Sequence, residues 1–261
     1  MKPKKQLGQH FLTAPSYAQK IVQAVPALAD DNVLEIGPGK GAISALLNKR
    51  FPRFHVAELD ADVIPALCEK LGEGTWTLHH VNVLDFDFAQ AGFPLHAVGN
   101  LPYSIGALII KKTLLYGNNI ASCTFMVQRE VAERIAAAPH CKLNGFLSIF
   151  CQFFGQPKIL FHIPPGAFFP KPKIDSSVFQ IVIRPNLESI LPQSKWLDFF
   201  ALVDKGFKMR RKTLVNALDI NGSKTRYTEL LESLSINPKS RAEDLGIHEW
   251  LELYKKSCER Y

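Results

Sequence analysis

An amide, a backbone carbonyl and an aromatic ring follow one another in the segment 99–104, which reads Gly-Asn-Leu-Pro-Tyr-Ser. The exocyclic amine of a planar base is a poor nucleophile because its lone pair is delocalised into the ring. The Asn100 side-chain oxygen and the Leu101 carbonyl could accept its hydrogens, while Pro102 fixes the backbone and Tyr103 offers a stacking face. The segment therefore predicts chemistry on a base amine. The alternative is an ordinary strand-to-helix turn, in which Asn and Pro are common.

The elements that would position this segment are strands. The apolar run 95–98 precedes it and predicts a short buried strand. Ligands bind at the carboxyl ends of the strands in open α/β sheets, so the segment would lie at the binding edge. Earlier predicted strands at 32–36, 54–60 and 75–81 also lead into glycines or polar residues. We therefore expect four strand ends to meet at one site.

A glycine-rich loop follows the first of these strands and opens a predicted helix at 42–49. Gly37, Gly39 and Gly41 allow positive φ angles and a close approach of the backbone to a ligand. Their spacing is G-x-G-x-G, which differs from the G-x-G-x-x-G dinucleotide fingerprint and argues against NAD. About 20 residues further on, Glu58 ends the next strand, where such folds bind a ribose diol through an acid.

Asn82 follows the third strand and is the predicted contact for an adenine edge. Asp85 is its rival, and would make the contact if the strand ended one turn further on. With the methionine end of a nucleoside at the glycines, its ribose at Glu58 and Asn100 nearby, the pattern predicts an S-adenosyl-L-methionine-dependent methyltransferase with a Rossmann-like α/β domain.

Composition limits the remaining possibilities. The 261 residues are 47% hydrophobic, enough for one large and one small domain. No apolar run approaches the roughly 20 residues of a membrane helix, so we expect no membrane partner and a cytoplasmic location. The five cysteines form no CxxC pair, which favours reduced thiols and no metal site. The net charge of +7 favours a polyanionic partner.

The segment 157–192 contains seven prolines, which we take to forbid helix and to predict rigid loops between late strands. This context favours Phe168 or Phe169 at the mouth of the pocket. Lys171 and Lys173 beside them could contact phosphate.

The chain then becomes helical. We predict helices at 195–205, 208–218, 225–234 and 248–256. The resulting division is a methyltransferase domain over 1–184 and a small helical, RNA-contacting domain over 185–261.

A basic run lies at the predicted start of the helix 208–218, where cations oppose the helix macrodipole and are disfavoured. We interpret the run as a contact for RNA phosphates, the alternative being a solvated face. Its cations are Lys208, Arg210, Arg211 and Lys212.

These motifs occur in a familiar order. The chain resembles the bacterial small-subunit ribosomal RNA adenine dimethyltransferases, the kasugamycin-resistance methyltransferases, over nearly all of its length. The matching segments are 8–12, 35–39, 58–60, 99–103, 164–176 and 210–214.

The resemblance implies a class I methyltransferase fold and the successive transfer of two methyl groups to N6 of each of two adjacent adenines. It also implies that His10 and Leu12 fold over the cofactor, and that Phe168 sandwiches the target adenine against Tyr103. Asn82 is a departure, since the family usually has Asp there.

The implied substrate is a 3′-terminal hairpin of 16S ribosomal RNA in a pre-30S particle, with S-adenosyl-L-homocysteine as product and a monomeric enzyme. One alternative is a large-subunit ribosomal RNA methyltransferase of the antibiotic-resistance type. Another is an assembly checkpoint whose binding matters more than its turnover.

Overall fold

The computed structural model describes residue 4 and the ranges 9–219 and 222–258. Two compact units divide the chain: one comprises 1–132 and 155–185, the other 133–154 and 186–261. Within the described ranges, no helix has both the length and the apolar character needed to cross a membrane.

A seven-stranded sheet forms the centre of the first unit. The strands of the unit are β1 (Phe11–Leu12), β2 (Asn32–Ile36), β3 (Phe54–Glu58), β4 (Thr77–His80), β5 (Leu95–Asn100), β6 (Ile120–Gln128), β7 (Lys158–Ile163), β8 (Phe168–Phe169) and β9 (Ser176–Val182). Their order in the sheet is β4-β3-β2-β5-β6-β9-β7, and β9 runs antiparallel to both of its neighbours. The other pairings are parallel, so the predicted α/β class is confirmed.

Helices connect the neighbouring parallel strands, as β-helix-β crossovers require. They are α2 (Ser44–Arg50) between β2 and β3, α3 (Ile64–Leu71) between β3 and β4, and α4 (Gly106–Leu114) between β5 and β6. Helix α1 (Pro15–Ala24) precedes β2, and α5 (Arg129–Ile135), which contributes to both units, follows β6. The sheet is apolar on both faces: Val33, Leu34 and Ile36 of β2 are all fully buried or nearly so. This is the composition expected of parallel strands covered on both sides.

The order of the strands reverses beside β2. The strand β3 lies on one side of β2 and β5 on the other, so a crevice opens between β2 and β5 at their carboxyl ends. The two strands meet closely there, since Ile36 lies opposite Gly99. A Cβ atom on Gly99 would lie 2.6 Å from the Ile36 carbonyl oxygen, so only glycine fits.

The segment before α1 joins the same unit through a small antiparallel sheet. Strand β1 pairs with β8, with Phe11 opposite Phe169 and Leu12 opposite Phe168. Thr13 extends the pairing because its backbone N–H donates to the Ala167 carbonyl at 2.8 Å. The N-terminal segment is therefore fixed along the mouth of the crevice.

The second unit packs helices around an aromatic core. Its helices are α6 (Phe146–Phe154), α7 (Leu187–Ile190), α8 (Trp196–Lys208), α9 (Leu214–Leu218), α10 (Lys224–Ser233) and α11 (Ile247–Cys258). The rings of Phe150 and Phe200 lie 4.4 Å apart between centroids, and Phe153 packs edge-on against Trp196. The sequence-based boundary placed 133–154 in the first domain, whereas these contacts join it to the helical unit.

Two further predictions are corrected. The helix predicted over 208–218 is wrong: α8 ends at Lys208 and α9 begins at Leu214, whose N–H donates to the Ser240 carbonyl instead of continuing a helix. The prolines of 157–192 were also taken to exclude helix, and this prediction is wrong because α7 forms in that segment. Its four residues fit between Pro185 and Pro192, so neither ring interrupts its hydrogen bonds.

Candidate active site

The carboxyl ends of β2, β3, β4 and β5 and the segment before α1 line one cleft in the first unit. Ten residues predicted for the site lie on its wall: His10, Leu12, Gly37, Gly39, Glu58, Asn82, Asn100, Leu101, Pro102 and Tyr103. The structure therefore brings together side chains from four strand ends, as the spacing of the motifs predicts.

The glycine loop forms the floor of the cleft and needs its glycines. Gly37, Gly39 and Gly41 have φ angles of 67°, 53° and 70°, which disfavour residues with a Cβ atom. A Cβ on Gly39 would also lie 2.9 Å from the ring of Phe11. The loop thus leaves its backbone exposed to a ligand while Phe11 closes one side.

Glu58 is held in place by backbone donors. Its carboxylate accepts hydrogen bonds from the Gly39 N–H at 3.1 Å and the Asp60 N–H at 2.8 Å, one on each oxygen. Burial raises the pKa of Glu58, and these backbone N–H groups oppose that shift. Each oxygen keeps a second lone pair, so the carboxylate can still accept both hydroxyls of a diol.

Asn100 has a defined orientation. Its Nδ2 donates to the His10 carbonyl at 2.9 Å, which leaves Oδ1 as the acceptor available to a substrate amine. The Leu101 N–H donates to the Met126 carbonyl at 3.0 Å, and the Gly106 N–H donates to the Pro102 carbonyl at 2.8 Å. The turn after β5 is therefore rigid and carries its two acceptors in fixed positions.

Comparison with known proteins agrees with this geometry. Residues 1–258 match the family described as ribosomal RNA adenine dimethylase. The chain belongs to this family. A relative from Xanthomonas euvesicatoria, named ribosomal RNA small subunit methyltransferase A, is 39% identical over 96% of this chain and 94% of its own length. A relative of the same name from Xanthomonas campestris is 38% identical over the same shares of the two chains.

Solved structures show the same fold. A dimethyladenosine transferase from Plasmodium falciparum superposes with a TM-score of 0.82, covering 96% of this chain and 98% of its own, at 21% identity. The 23S rRNA methyltransferase ErmE superposes with a TM-score of 0.73, covering 94% and 98%, also at 21% identity. The family and the fold together imply a cofactor of the S-adenosylmethionine type.

The residues that line the cleft fit such a cofactor. Glu35 is buried beneath the cleft, and its Oε2 has no hydrogen-bond partner among the described residues. Burial raises the pKa of Glu35 to about 8. A carboxyl oxygen without a partner beside the glycine backbone suits the cationic amino-acid end of the cofactor, while Glu58 suits its ribose.

Tyr103 already has a stacking partner. Its ring lies 5.3 Å from that of His10 at an interplanar angle of 27°, and its hydroxyl is 2.9 Å from the Ser176 Oγ. His10 is fixed in turn by its Nδ1, 2.7 Å from the Pro170 carbonyl oxygen. One face of the predicted stacking platform is therefore covered by the N-terminal segment.

Phe168 is not on the wall of the cleft, although the resemblance implies that it stacks on the target base. Only 5% of it is exposed, and it packs in the core with Leu12, whereas Phe169 is 59% exposed. The reason is the pairing of β8 with β1, because successive residues of a strand point to opposite faces. Phe169 is the residue at the surface.

The strand before Asn82 ends at His80, and Asn82 lines the cleft while Asp85 does not. The Asn82 Oδ1 accepts a hydrogen bond from the Leu84 N–H at 3.0 Å, which fixes the side chain in a turn. Its Nδ2 is thus available as a donor, and the second lone pair of Oδ1 is available as an acceptor.

Asp60 lies next to the cleft and was not singled out by the sequence analysis. Its buried carboxylate accepts hydrogen bonds from Lys4 Nζ at 2.6 Å and Gln9 Nε2 at 2.8 Å. Burial raises the pKa of Asp60, but these two bonds, the Asp62 N–H and the charge of Lys4 together outweigh it and hold the pKa below its usual value. The carboxylate anchors the N-terminal segment beside the end of β3.

The basic run in the second unit has mixed roles. Lys208 is the last residue of α8, where the helix macrodipole stabilises a cation. It also forms an ion pair with Asp204 at 3.0 Å. Arg210 donates to the Lys142 carbonyl at 2.6 Å and pairs with Glu243 at 3.1 Å, so it holds the unit together. The remaining cations, Arg211 and Lys212, are exposed.

The raised pKa of Glu35 predicts a pH-dependent stability. Between its unfolded value of 4.5 and about 8, the folded protein keeps a proton that the unfolded chain loses. The free energy of unfolding should therefore fall with rising pH by up to about 1.4 kcal/mol per unit through this group. Glu35→Gln should remove this dependence. The free energy of unfolding of the variant should therefore rise relative to that of the wild type from pH 5 to pH 8.

Urea unfolding of the cofactor-free protein at several pH values measures this difference. The exposed Glu69→Gln on α3 is the matched control, and it should not diverge from the wild type in this way. Parallel curves for Glu35→Gln and the wild type would show that the carboxyl group is not held protonated.

Proposed function

We propose that this protein dimethylates N6 of two adjacent adenines in a 3′-terminal hairpin of 16S ribosomal RNA, using S-adenosyl-L-methionine. The observation that carries the proposal is the fixed pair of acceptors, Asn100 Oδ1 and the Leu101 carbonyl, at the mouth of a cleft suited to that cofactor. The relatives at 38–39% identity are named for the small subunit, which favours this substrate. The enzyme would act in the cytoplasm as a monomer on a pre-30S particle.

The chain's own residues would act mainly through electrostatics. S-adenosyl-L-methionine, when bound, supplies the methyl group and leaves as S-adenosyl-L-homocysteine. Asn100 and Leu101 would accept the hydrogens of N6, and their attraction grows as positive charge develops on that nitrogen. The amine attacks while neutral and loses its proton after the new N–C bond has formed. No side chain is therefore needed as a base before attack.

Two other readings have less support. One is a large-subunit methyltransferase of the antibiotic-resistance type. ErmE shares the fold of this chain, but a similarity at 21% identity supports only the fold and not the substrate. The other is an assembly checkpoint, in which binding to the particle matters more than methyl transfer. If a variant without methyltransferase activity restored the growth of cells that lack the protein, the checkpoint would be favoured.

Asn100→Ala tests the catalytic assignment. Removing one fixed polar partner of this kind reduces transition-state stabilisation by about 3 kcal/mol, so the rate of methyl transfer should fall by roughly 100-fold or more. The assay is methyl transfer to undermethylated small-subunit particles at saturating cofactor, because the same side chain also holds the His10 carbonyl.

Tyr103→Phe is the comparison variant. It keeps the stacking ring and removes only the hydroxyl bonded to Ser176, so its rate should stay within about tenfold of the wild type. Near-normal turnover in Asn100→Ala, with cofactor binding intact, would refute the role of the amide.

The exposed pair of the basic run predicts a salt effect. Changing Arg211 and Lys212 together to Gln should weaken RNA binding and reduce the log–log salt slope by about two. Arg210→Gln should instead lower the thermal unfolding temperature, since it leaves the Lys142 carbonyl and Glu243 without their partner. An unchanged slope in the double variant would assign the pair to a solvated face.

Calorimetry of cofactor binding separates Asn82 from Asp85. Asn82→Leu should weaken the free energy of cofactor binding by about 1–3 kcal/mol, because the adenine edge loses its partner. The cofactor affinity of Asn82→Asp should stay within about tenfold of the wild type. Asp85→Ala should leave the affinity unchanged, since Asp85 lies outside the cleft. A loss confined to Asp85→Ala would mean that the adenine lies elsewhere.

A further inference from the structure

A second groove lies beside the candidate active site. Phe11 forms a wall common to the two, so the groove begins where the cleft ends. Small side chains of α1 and α2, among them Ala18 and Ala45, line it, and Lys40, Lys70 and Phe169 also border it. The groove therefore combines an apolar floor with two cations and an aromatic ring at its border.

Phe169 is an exposed aromatic ring on a fixed backbone. Phe169 is 59% exposed, while its neighbour Phe168 is buried. Phe11 lies opposite Phe169 in the β1–β8 sheet. A large ring held in water by a rigid strand gains free energy when a flat partner covers it. Stacking of a nucleic-acid base on such a ring is worth about 1–3 kcal/mol.

Two lysines bring positive charge to the groove. Lys70 Nζ donates to the Lys40 carbonyl at 3.3 Å, and Lys40 Nζ lies 5.1 Å from the centroid of the Phe11 ring. Among the described residues, neither ammonium group forms an ion pair with a carboxylate. Both ammonium groups are therefore available to an anion.

We propose that this groove binds a nucleotide of the substrate RNA adjacent to the target adenine. Its base stacks on Phe169 and its phosphate lies near Lys40 and Lys70. A ring beside cations is the combination that binds single-stranded nucleic acid, and an apolar peptide would leave both lysines unpaired. This inference rests on the proposed function, because it takes the substrate to be RNA.

The test uses Phe169→Ala and Lys70→Gln, since Lys40 also lines the first cleft. Methylation of undermethylated small-subunit particles is measured at saturating cofactor. Each variant should raise KM for the particle, by about tenfold for Phe169→Ala, with kcat and cofactor affinity unchanged. Lys70→Gln should also reduce the salt slope by about one.

Matched controls lie elsewhere in the same unit. Leu28→Ala removes a side chain that is 75% exposed, and Lys158→Gln removes an exposed charge from β7. Both should match the wild type. If the wild type methylates the particle but Phe169→Ala and Lys70→Gln behave like these controls, the inference fails while the proposed function stands. If the wild type transfers no methyl group, both fail.

A crosslinking experiment identifies the occupant directly. Phe169 is replaced by the photoreactive analogue p-benzoylphenylalanine, and the protein is irradiated with the same particle. We expect crosslinks to RNA within a few nucleotides of the methylated adenine. Crosslinks to a ribosomal protein alone, or to RNA far from that adenine, would overturn the proposal.

Discussion

The reversal of strand order beside β2 is the constraint on which the candidate site depends. Since β3 and β5 flank β2 on opposite sides, the connections leave the carboxyl ends in opposite directions and open a crevice. The close contact of Gly99 with the Ile36 carbonyl holds the glycine loop and the Asn100 turn side by side. The cofactor-type wall and the acceptors for a base amine thus share one edge.

The N-terminal segment completes this arrangement from the other side. Its His10 carbonyl orients the Asn100 amide, its strand β1 pairs with β8, and Asp60 anchors it beside Glu58. One short stretch therefore touches the part of the site suited to a cofactor and the part suited to a base. These contacts give residues 9–12 a physical reason to accompany the proposed catalytic motif at 99–103.

The sequence predicted the parts of this design that depend on local spacing. The glycine loop directly follows β2, while Glu58 and Asn100 are the last residues of β3 and β5, and all of them line the cleft. Helix α6 was missed because its residues are mostly apolar, and a short apolar run does not by itself distinguish a buried helix from a buried strand. The burial of Phe168 depends on pairing with β1, a contact of long sequence separation. The breaks around the basic run depend likewise on distant partners of Leu214 and Arg210.

The most direct test of the central claim is the chemical state of ribosomal RNA. Ribosomal RNA from cells with and without this protein is digested, and N6,N6-dimethyladenosine is quantified by mass spectrometry in each subunit's RNA. The account predicts adjacent dimethylated adenines near the 3′ end of the small-subunit RNA only when the protein is present. Dimethyladenosine that persists without the protein, or that depends on it only in the large-subunit RNA, would contradict the account.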